Sequence, residues 1–578
     1  MSWNLNDLSR NPERDLKRLE KEVKTVIKRF ALFPERGSGE DALLVLEAYD
    51  ALLTNLKRIE LLAELRISEN ASDEHARALT TRIEHLTRNL DQAYDRLIEW
   101  IRTADDTQIE PLLTSRFAHT INHIRRIRKH ILPLTVEQAL SMTSRASEAT
   151  ILDTLQAHQT ASFLGKDQPL SMIQPYVSHP DPAVREAAAR ALLSGRLQHK
   201  ETLRVILHEH VMRVHTHRVT LRGYANVREA TLMEEGISRE AYETLLTRVK
   251  QAFPLYARAF KLKHAILSQR KPYPYSRYHV YATHPLLHTK TYSFNEALRI
   301  IEKTLARTPW KDYAHTILKA NHASITPAQG KYGGAFCADN PHGIPYMLLN
   351  YTGSITDILT LAHELGHCIH DQLIQQDIPL LERHPRLSIA ELASTSIEGL
   401  VLHTLQEEAE GEYKLALLLY ELDEWYATVL RQALFSIIED LLSTRIPKGE
   451  RMSTIAKAYT RLMKHAFPDM QHSEAYAEEW LAIPHLYHHP YYVFTYAWTF
   501  LTSRLIIPQL HTQRMRERFS TILSQGWRIT GEDALRMLTK STPEDAFTRA
   551  FNQLERLIKR IEREATRAGY ALPNTNAR

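Results

Sequence analysis

Asp357-Ile-Leu-Thr-Leu-Ala-His363-Glu364-Leu-Gly-His367-Cys-Ile-His370 fits a helix with two distinct sides. At about 100° per residue, Ile358, Leu361, Ala362, Leu365 and Ile369 fall on one side, and His363, His367 and His370 fall on the other. Thr360 and Glu364 sit at the edge. Such a helix can bury its apolar stripe and present its imidazoles to a cleft. His363 and His367 are one turn apart, about 6 Å at Cβ, near enough to share one ion. H-E-x-x-H on a helix is the spacing in which two histidines grip zinc and the intervening glutamate serves as general base.

The chain carries 30 histidines, and with that supply an accidental H-E-x-x-H has odds of roughly one in ten. A downstream partner strengthens the motif, because catalytic zinc takes three protein ligands and keeps one position open for water. The candidate third ligand is Glu391, in Leu-Ser-Ile-Ala-Glu391-Leu-Ala-Ser-Thr-Ser-Ile-Glu398. Ser388-Ile-Ala-Glu391 also reads as a capping box, in which the glutamate turns back to its own helix start. Three features favour the metal role. Leu387, Ile389, Ala390, Leu392, Ala393 and Ile397 make the segment apolar, and Glu391, Ser394, Thr395 and Glu398 form one polar stripe along it. A carboxylate buried there is costly without a compensating charge. Glu398 is expected to orient a ligand histidine; the competing assignment is a solvated or helix-paired carboxylate.

The remaining sequence is mostly helical in pattern. Its 578 residues leave room for several domains or one elaborated one, and only 18 are glycine. Residues 15–30, 40–68 and 72–103 carry apolar positions at spacings of three and four between glutamates and arginines. Residues 131–255 continue as shorter helices. Ser178-His-Pro-Asp-Pro-Ala-Val-Arg-Glu-Ala looks like one unit of a helical repeat, but no second copy follows at a fixed period, which argues against a solenoid. Residues 271–281, rich in proline and tyrosine, mark an irregular connection and an expected lobe boundary. After Thr291 the texture changes: residues 330–343 are the most glycine-dense segment, and 344–351 form an apolar run of strand length. A strand here could offer a free edge to an extended peptide; an ordinary structural sheet accounts for it equally well.

Charge and cysteine content exclude other classes. The net charge is +5, from 73 basic and 68 acidic residues, and no basic stripe with interleaved aromatics points to nucleic acid. The two cysteines, Cys337 and Cys368, form no C-x-x-C pair, which suits a reducing compartment. The polar opening Met-Ser-Trp-Asn-Leu-Asn-Asp-Leu and the lack of any apolar run near 18 residues lead us to expect neither a signal peptide nor a membrane span, and a cytoplasmic location.

A last constellation lies at Glu479-Trp-Leu-Ala-Ile-Pro-His485-Leu-Tyr487-His-His-Pro490-Tyr491-Tyr492-Val-Phe494-Thr-Tyr496-Ala-Trp498. Two prolines bracket a loop, and the following helix puts Tyr492 and Tyr496 on one face. Phenol and imidazole donors suit an oxyanion, although aromatic clusters at this spacing more often belong to a core.

Together these blocks resemble the oligoendopeptidase F branch of the thimet-oligopeptidase family of zinc peptidases. Its fingerprint H-E-x-G-H-x-x-H stands here as His363-Glu364-Leu-Gly366-His367-Cys-Ile-His370. Leu348-Leu-Asn-Tyr-Thr-Gly353 is similar to the segment leading into the metal helix, and Ala390-Glu391-Leu-Ala-Ser-Thr395 to the block with the third zinc ligand. Arg222-Gly-Tyr, Val184-Arg-Glu-Ala and Trp3-Asn-Leu extend the likeness over essentially the full length. The resemblance implies an all-α fold, a two-lobed clam with a deep channel and one small β element next to the zinc helix. It implies an N-terminal helical region at 1–110, an oligopeptidase-F-type N-terminal domain at 111–195 and a metallopeptidase catalytic domain at 196–578. It further implies one Zn2+ held by His363, His367 and Glu391, Glu364 as base, and His485, Tyr492 and Tyr496 as oxyanion donors. The implied substrates are short unstructured peptides cut at internal bonds, with no nucleic-acid or membrane partner; oligomeric state is left open. One departure is the run 491–500, which has Phe494 and Trp-Thr-Phe where a tyrosine and a glycine-containing turn are expected. The alternatives are a related helical zinc carboxypeptidase, and a non-catalytic peptide-binding protein with a relic metal site. The intact Glu364 argues against the relic.

Overall fold

The computed structural model describes residues 3–33, 35–143, 148–374 and 378–572. They are predominantly helical, with five short strands among the described residues. No described helix is long and apolar enough to cross a membrane. Internal contacts divide the chain into two units, each assembled from separated segments. Unit 1 comprises Met1–Arg145, Ser293–Glu398 and His511–Ile529; unit 2 comprises Ala146–Tyr292, Gly399–Leu510 and Thr530–Arg578. The change of texture near residue 291 coincides with one of these limits. The tyrosine-rich connection at 271–281 does not; it lies inside unit 2.

Unit 1 opens with helices Pro12–Phe30, Gly39–Glu69 and Glu74–Thr103, close to the ranges that periodicity predicts. In the first, Leu16, Leu19, Val23, Val26 and Phe30 are buried at alternating spacings of three and four, the stripe an amphipathic helix needs. Asn11 caps it by accepting from the Arg14 N–H at 3.0 Å, and Glu13 and Asp15 favour its positive end. Ser38 and Asp41 form a capping box for the second helix. The third starts at Glu74, two residues inside the range that periodicity suggests, with Asp73 as its cap, accepting from the Ala76 N–H at 2.9 Å.

The small β element of unit 1 has three strands. In chain order the strands are β1 (Thr160–Phe163) and β2 (Lys166–Pro169), a separate hairpin in unit 2, then β3 (Ala323–Ser324), β4 (Phe336–Ala338) and β5 (Tyr346–Leu348). The sheet order is β3-β5-β4, with β3 parallel and β4 antiparallel to β5. The apolar run 344–351 therefore supplies a central strand, paired on both sides and fully buried, and not the free edge its sequence invites. The edges belong to β3 and to β4, the latter drawn from the glycine-dense segment. Tyr346 stacks on His322 at 3.8 Å and donates its hydroxyl to Asn4 O, while Trp3 Nε1 donates to Met347 O. The start of the chain thus closes over the sheet. Lys331 Nζ donates to the carbonyls of Ser324, Thr326 and Leu349, gathering the glycine segment onto β3 and β5. Gly334 turns with φ +78°, a conformation that a side chain would strain.

Unit 2 is built around a large apolar core. It includes helices Phe253–Ser268, Gly411–Glu424, Arg431–Arg445, Phe494–Ile506 and Pro543–Arg567. Helix Pro182–Arg196 belongs to this unit and is the segment that looked like a repeat. One charged group enters the interior without a cationic partner on its oxygens. Glu439 Oε1 accepts from the Tyr491 N–H at 2.7 Å, while its Oε2 is buried without a hydrogen bond. Burial, with Asp440 adjacent, pushes this carboxyl up to about 8.

Two helices meet at main-chain distance within unit 1. Gly366, on the histidine helix Ile355–Leu373, faces Ser394 and Ala393 on the glutamate helix Leu387–Glu408. A Cβ at position 366 would lie 2.4 Å from Ser394 Cα and 2.8 Å from its nitrogen. Gly366→Ala should therefore separate the helices and destabilise the protein by about 1–3 kcal/mol, the usual cost of overpacking; denaturant unfolding of both forms measures it. A second expectation concerns Glu439. Its folded pKa lies above the unfolded value of about 4.3, so its contribution is greatest below that value and declines as pH rises towards about 8. Glu439→Gln should remove that decline. The excess of the variant's Tm over the parent's should grow between about pH 5 and pH 8 and level off above, and a gap that stays constant with pH would refute the assignment.

Candidate active site

The histidine helix begins at a capping box that fixes its phase. Ser354 Oγ accepts from the Asp357 N–H at 3.1 Å, and the Asp357 carboxylate accepts from the N–H groups of Ser354 and Thr352. The S-x-x-D spacing is visible in the sequence, although the helix was recognised without it. From this start, Ile358, Leu361, Ala362, Leu365 and Ile369 are buried, as their side of the helix requires. His363 and His367 are half-buried with ring centroids 5.0 Å apart. His370, on the same face by periodicity, is almost fully buried.

The course of the glutamate helix bears on both roles weighed for Glu391. It starts at Leu387, with the N–H groups of Ile389 and Ala390 both on Arg386 O, so Ser388 lies inside the first turn. The Glu391 carboxylate does not turn back to that start. Its Oε2 lies 3.3 Å from His363 Nε2 and 3.5 Å from His367 Nε2, and accepts from Ser394 Oγ at 3.0 Å. The three donor atoms lie within 4.8 Å of one another. A tetrahedral zinc site with bonds of about 2.1 Å has ligand–ligand edges of about 3.4 Å, so both the donor types and their spacing fit that ion. Seven residues after Glu391, on the same face, Glu398 Oε2 accepts from His363 Nδ1 at 2.9 Å and so directs Nε2 towards Glu391.

The charges of these groups are set by burial and by one another. Burial pushes the His367 imidazole down to about 4. Burial also opposes charge on His363, but hydrogen bonds to Glu391 and Glu398 outweigh it and raise that imidazole well above its ordinary value. Glu391, which burial alone would raise, is held at about 2 by His363 and His367. The cluster thus favours positive charge at its centre. Glu364 behaves differently: burial pushes it up to about 7, partly offset by the charge on His363 and by hydrogen bonding with the Cys337 main chain. A carboxyl that titrates near neutrality can both take and return a proton.

Two cavities flank the motif within unit 1. One, of about 400 Å³, is lined by Phe336, Cys337, His363, Glu364, His367 and Glu391 among others. The other, of about 470 Å³, is lined by Gly334, Tyr351, Thr360, His363, Glu364 and Glu398 among others. His363 and Glu364 border both, and β4 provides wall for the first. Cys337 on β4 and Cys368 on the histidine helix have Sγ atoms 2.9 Å apart, a proximity that nothing in the sequence signals.

The remaining sequence candidates come together in unit 2. His485 opens a short helix, His485–His488, and Tyr496 lies in Phe494–Ile506. Tyr496 Oη and His485 Nε2 are hydrogen-bonded at 3.2 Å; the His485 and Tyr492 rings stack at 5.2 Å, and Tyr492 and Tyr496 meet edge-on at 5.0 Å. Burial, with His488 and His489 near, lowers the His485 pKa and favours the neutral imidazole. The loop is held by Tyr491, whose φ is +62° and whose hydroxyl bonds to Asp440 and Ser443. Phe494, the departure from the family pattern, is fully buried edge-on to Tyr242 at 5.1 Å. It is a core residue here.

The likeness to known proteins extends beyond these residues. The chain is 27% identical over 402 residues to the chromosomal oligoendopeptidase F of Lactococcus lactis subsp. cremoris, covering 65% of this chain and 64% of that protein, so the matched region spans somewhat less than two thirds of that relative. It is 23% identical over 596 residues to the oligopeptidase PepF of Bacillus subtilis, covering 97% of this chain and 88% of the relative. The fold is shared with the crystal structure of oligoendopeptidase-F from Enterococcus faecium, at a TM-score of 0.72 and 20% identity over 96% of this chain and 98% of the other. The pattern that defines peptidase family M3 matches residues 176–554, a span holding both the His363–Glu391 cluster and the His485–Tyr496 group, and the chain belongs to that family.

Proposed function

We propose that this chain is a zinc-dependent oligoendopeptidase that hydrolyses internal bonds of short, unstructured peptides. The observation that carries this reading is the convergence of His363 Nε2, His367 Nε2 and Glu391 Oε2 beside a buried Glu364 that titrates near 7. Zinc, when bound, supplies Lewis acidity to polarise a carbonyl and acidify a water near neutral pH. Glu364 takes the proton of the attacking water and returns it to the leaving amine nitrogen. Glu398 keeps the His363 ring in the tautomer that leaves Nε2 free to coordinate. The family resemblance supports His485, Tyr496 and Tyr492 as donors to the oxyanion. The neutral state favoured for His485 gives it an N–H to donate from one nitrogen while the other accepts. For the substrate backbone, the edge of β4 is the better-supported pairing surface, since both sides of β5 are occupied. The free cysteines support a reducing, cytoplasmic setting.

The test separates base from ligand. Glu364→Gln should keep its zinc and lose roughly 10²–10⁴-fold in kcat on an internally quenched peptide. Glu391→Ala should lose the zinc itself, read by metal analysis after dialysis. Product mapping by mass spectrometry should place the cuts at internal bonds; release of single C-terminal residues would favour the carboxypeptidase instead. Retention of zinc by Glu391→Ala would return that residue to a structural role. For the donors, Tyr496→Phe should lower kcat with little change in KM, by about 2.7–4 kcal/mol in transition-state terms if it acts as other oxyanion donors do. An unchanged kcat would remove Tyr496 from the reaction.

A further inference from the structure

Unit 2 holds a partly open cavity of about 80 Å³ lined by three arginines, four tyrosines and a single carboxylate. Arg196 comes from the last turn of helix Pro182–Arg196, Arg277 from the turn Arg277–His279, and Arg431 from the first position of Arg431–Arg445. Tyr281 and Tyr476 add phenols, and Glu479 is the one carboxylate among the lining residues. Glu479 is already shared: it bonds to Arg277 and the Tyr459 hydroxyl, and lies 3.5 Å from Arg431 Nη2. The neighbouring carboxylate, Glu478, is turned to Arg204, with Nε to Oε1 at 2.9 Å. Arg196 bonds to the neutral Gln174. Three guanidiniums thus line the cavity with one carboxylate, an excess of two positive charges among the lining residues. Burial lowers the Arg196 pKa and Arg431 lowers it further, with Glu479 partly offsetting both, whereas Glu479 and neighbouring tyrosines outweigh burial and raise Arg277 and Arg431.

Cations buried together are stabilised only by anions and by acceptors that satisfy their N–H groups. The guanidinium fork matches two oxygens of a carboxylate or phosphate better than it matches a single water. A volume of 80 Å³ exceeds the roughly 10–15 Å³ that one water requires. We propose that this cavity is an anion site, taking one small oxyanion, a phosphate or carboxylate group, between Arg196, Arg277 and Arg431. The site is distinct in sequence from the metal cluster, and its occupancy can be read without measuring peptide hydrolysis.

The experiment is calorimetric titration of the full-length holoenzyme, in a low-salt zwitterionic buffer, with inorganic phosphate in one arm and acetate in the other. Saturable one-to-one binding is expected in at least one arm, and the arm that binds more tightly identifies the oxyanion class. Arg196→Gln and Arg431→Gln should each weaken it by about tenfold or more, the equivalent of one charge-assisted hydrogen bond. Thermal unfolding of each variant checks its fold. Should Arg431→Gln not fold, Arg196→Gln decides the question, because Arg196 is only partly buried and its bonded partner is neutral. Absence of saturable binding in both arms would make the cavity a water-filled structural network and overturn the proposal. Binding that persists unchanged in the folded variants would place the anion elsewhere, for example at the metal, and overturn it equally.

Discussion

The site depends on the close approach of two helices at Gly366. Two metal-ligand candidates stand on one helix and the third on the other, so the cluster exists only if the two axes are near enough for Glu391 to reach between His363 and His367. Ordinary helix pairs keep their axes 8–10 Å apart because side chains intervene. Here a missing side chain lets main chain meet main chain at Ser394. The same contact sets the reach of Glu398, two turns beyond Glu391 on the same face, to His363 Nδ1. One packing decision thus places both a ligand candidate and the carboxylate bonded to another candidate, His363. This gives the glycine of H-E-x-G-H a physical reason independent of any family pattern.

Much of this was legible in the sequence because it is written locally. Helices such as Pro12–Phe30 announce themselves by periodicity and caps, and His363, Glu364 and His367 are fixed relative to one another by helix geometry alone. Glu391 was legible only as one of two roles, since a carboxylate three residues after a serine serves a cap as readily as a metal. The helix start at Leu387 and the direction of the side chain separate the two. What could not be read was pairing across long separations. That β5 is central and β4 an edge depends on which segments return to the sheet, and β3 has only two residues with no local signature. The closure of Trp3 on Met347, and the meeting of Cys337 with Cys368, likewise follow from packing and not from spacing. The composition of unit 1 from three separated segments is a consequence of the same non-local pairing.

Charge balance gives a common argument for what each buried cluster can hold. Around His363 and His367, burial disfavours cationic imidazoles, yet Glu391 and Glu398 pull positive charge back to His363. A set of carboxylate and imidazole donors converging on one point suits a cation. Burial of Glu364, offset only in part by His363 and the Cys337 main chain, raises its pKa to about 7, the property its proposed role as base requires. Around Arg196, Arg277 and Arg431 the imbalance has the opposite sign: three guanidiniums share one lining carboxylate, Glu479. A buried polar cluster with unmatched charge therefore specifies the sign of its occupant, and the direction of its donors or lone pairs specifies the occupant's chemistry. By that rule the donors on the histidine helix suit a cation, and the arginine cavity suits the oxyanion proposed for it.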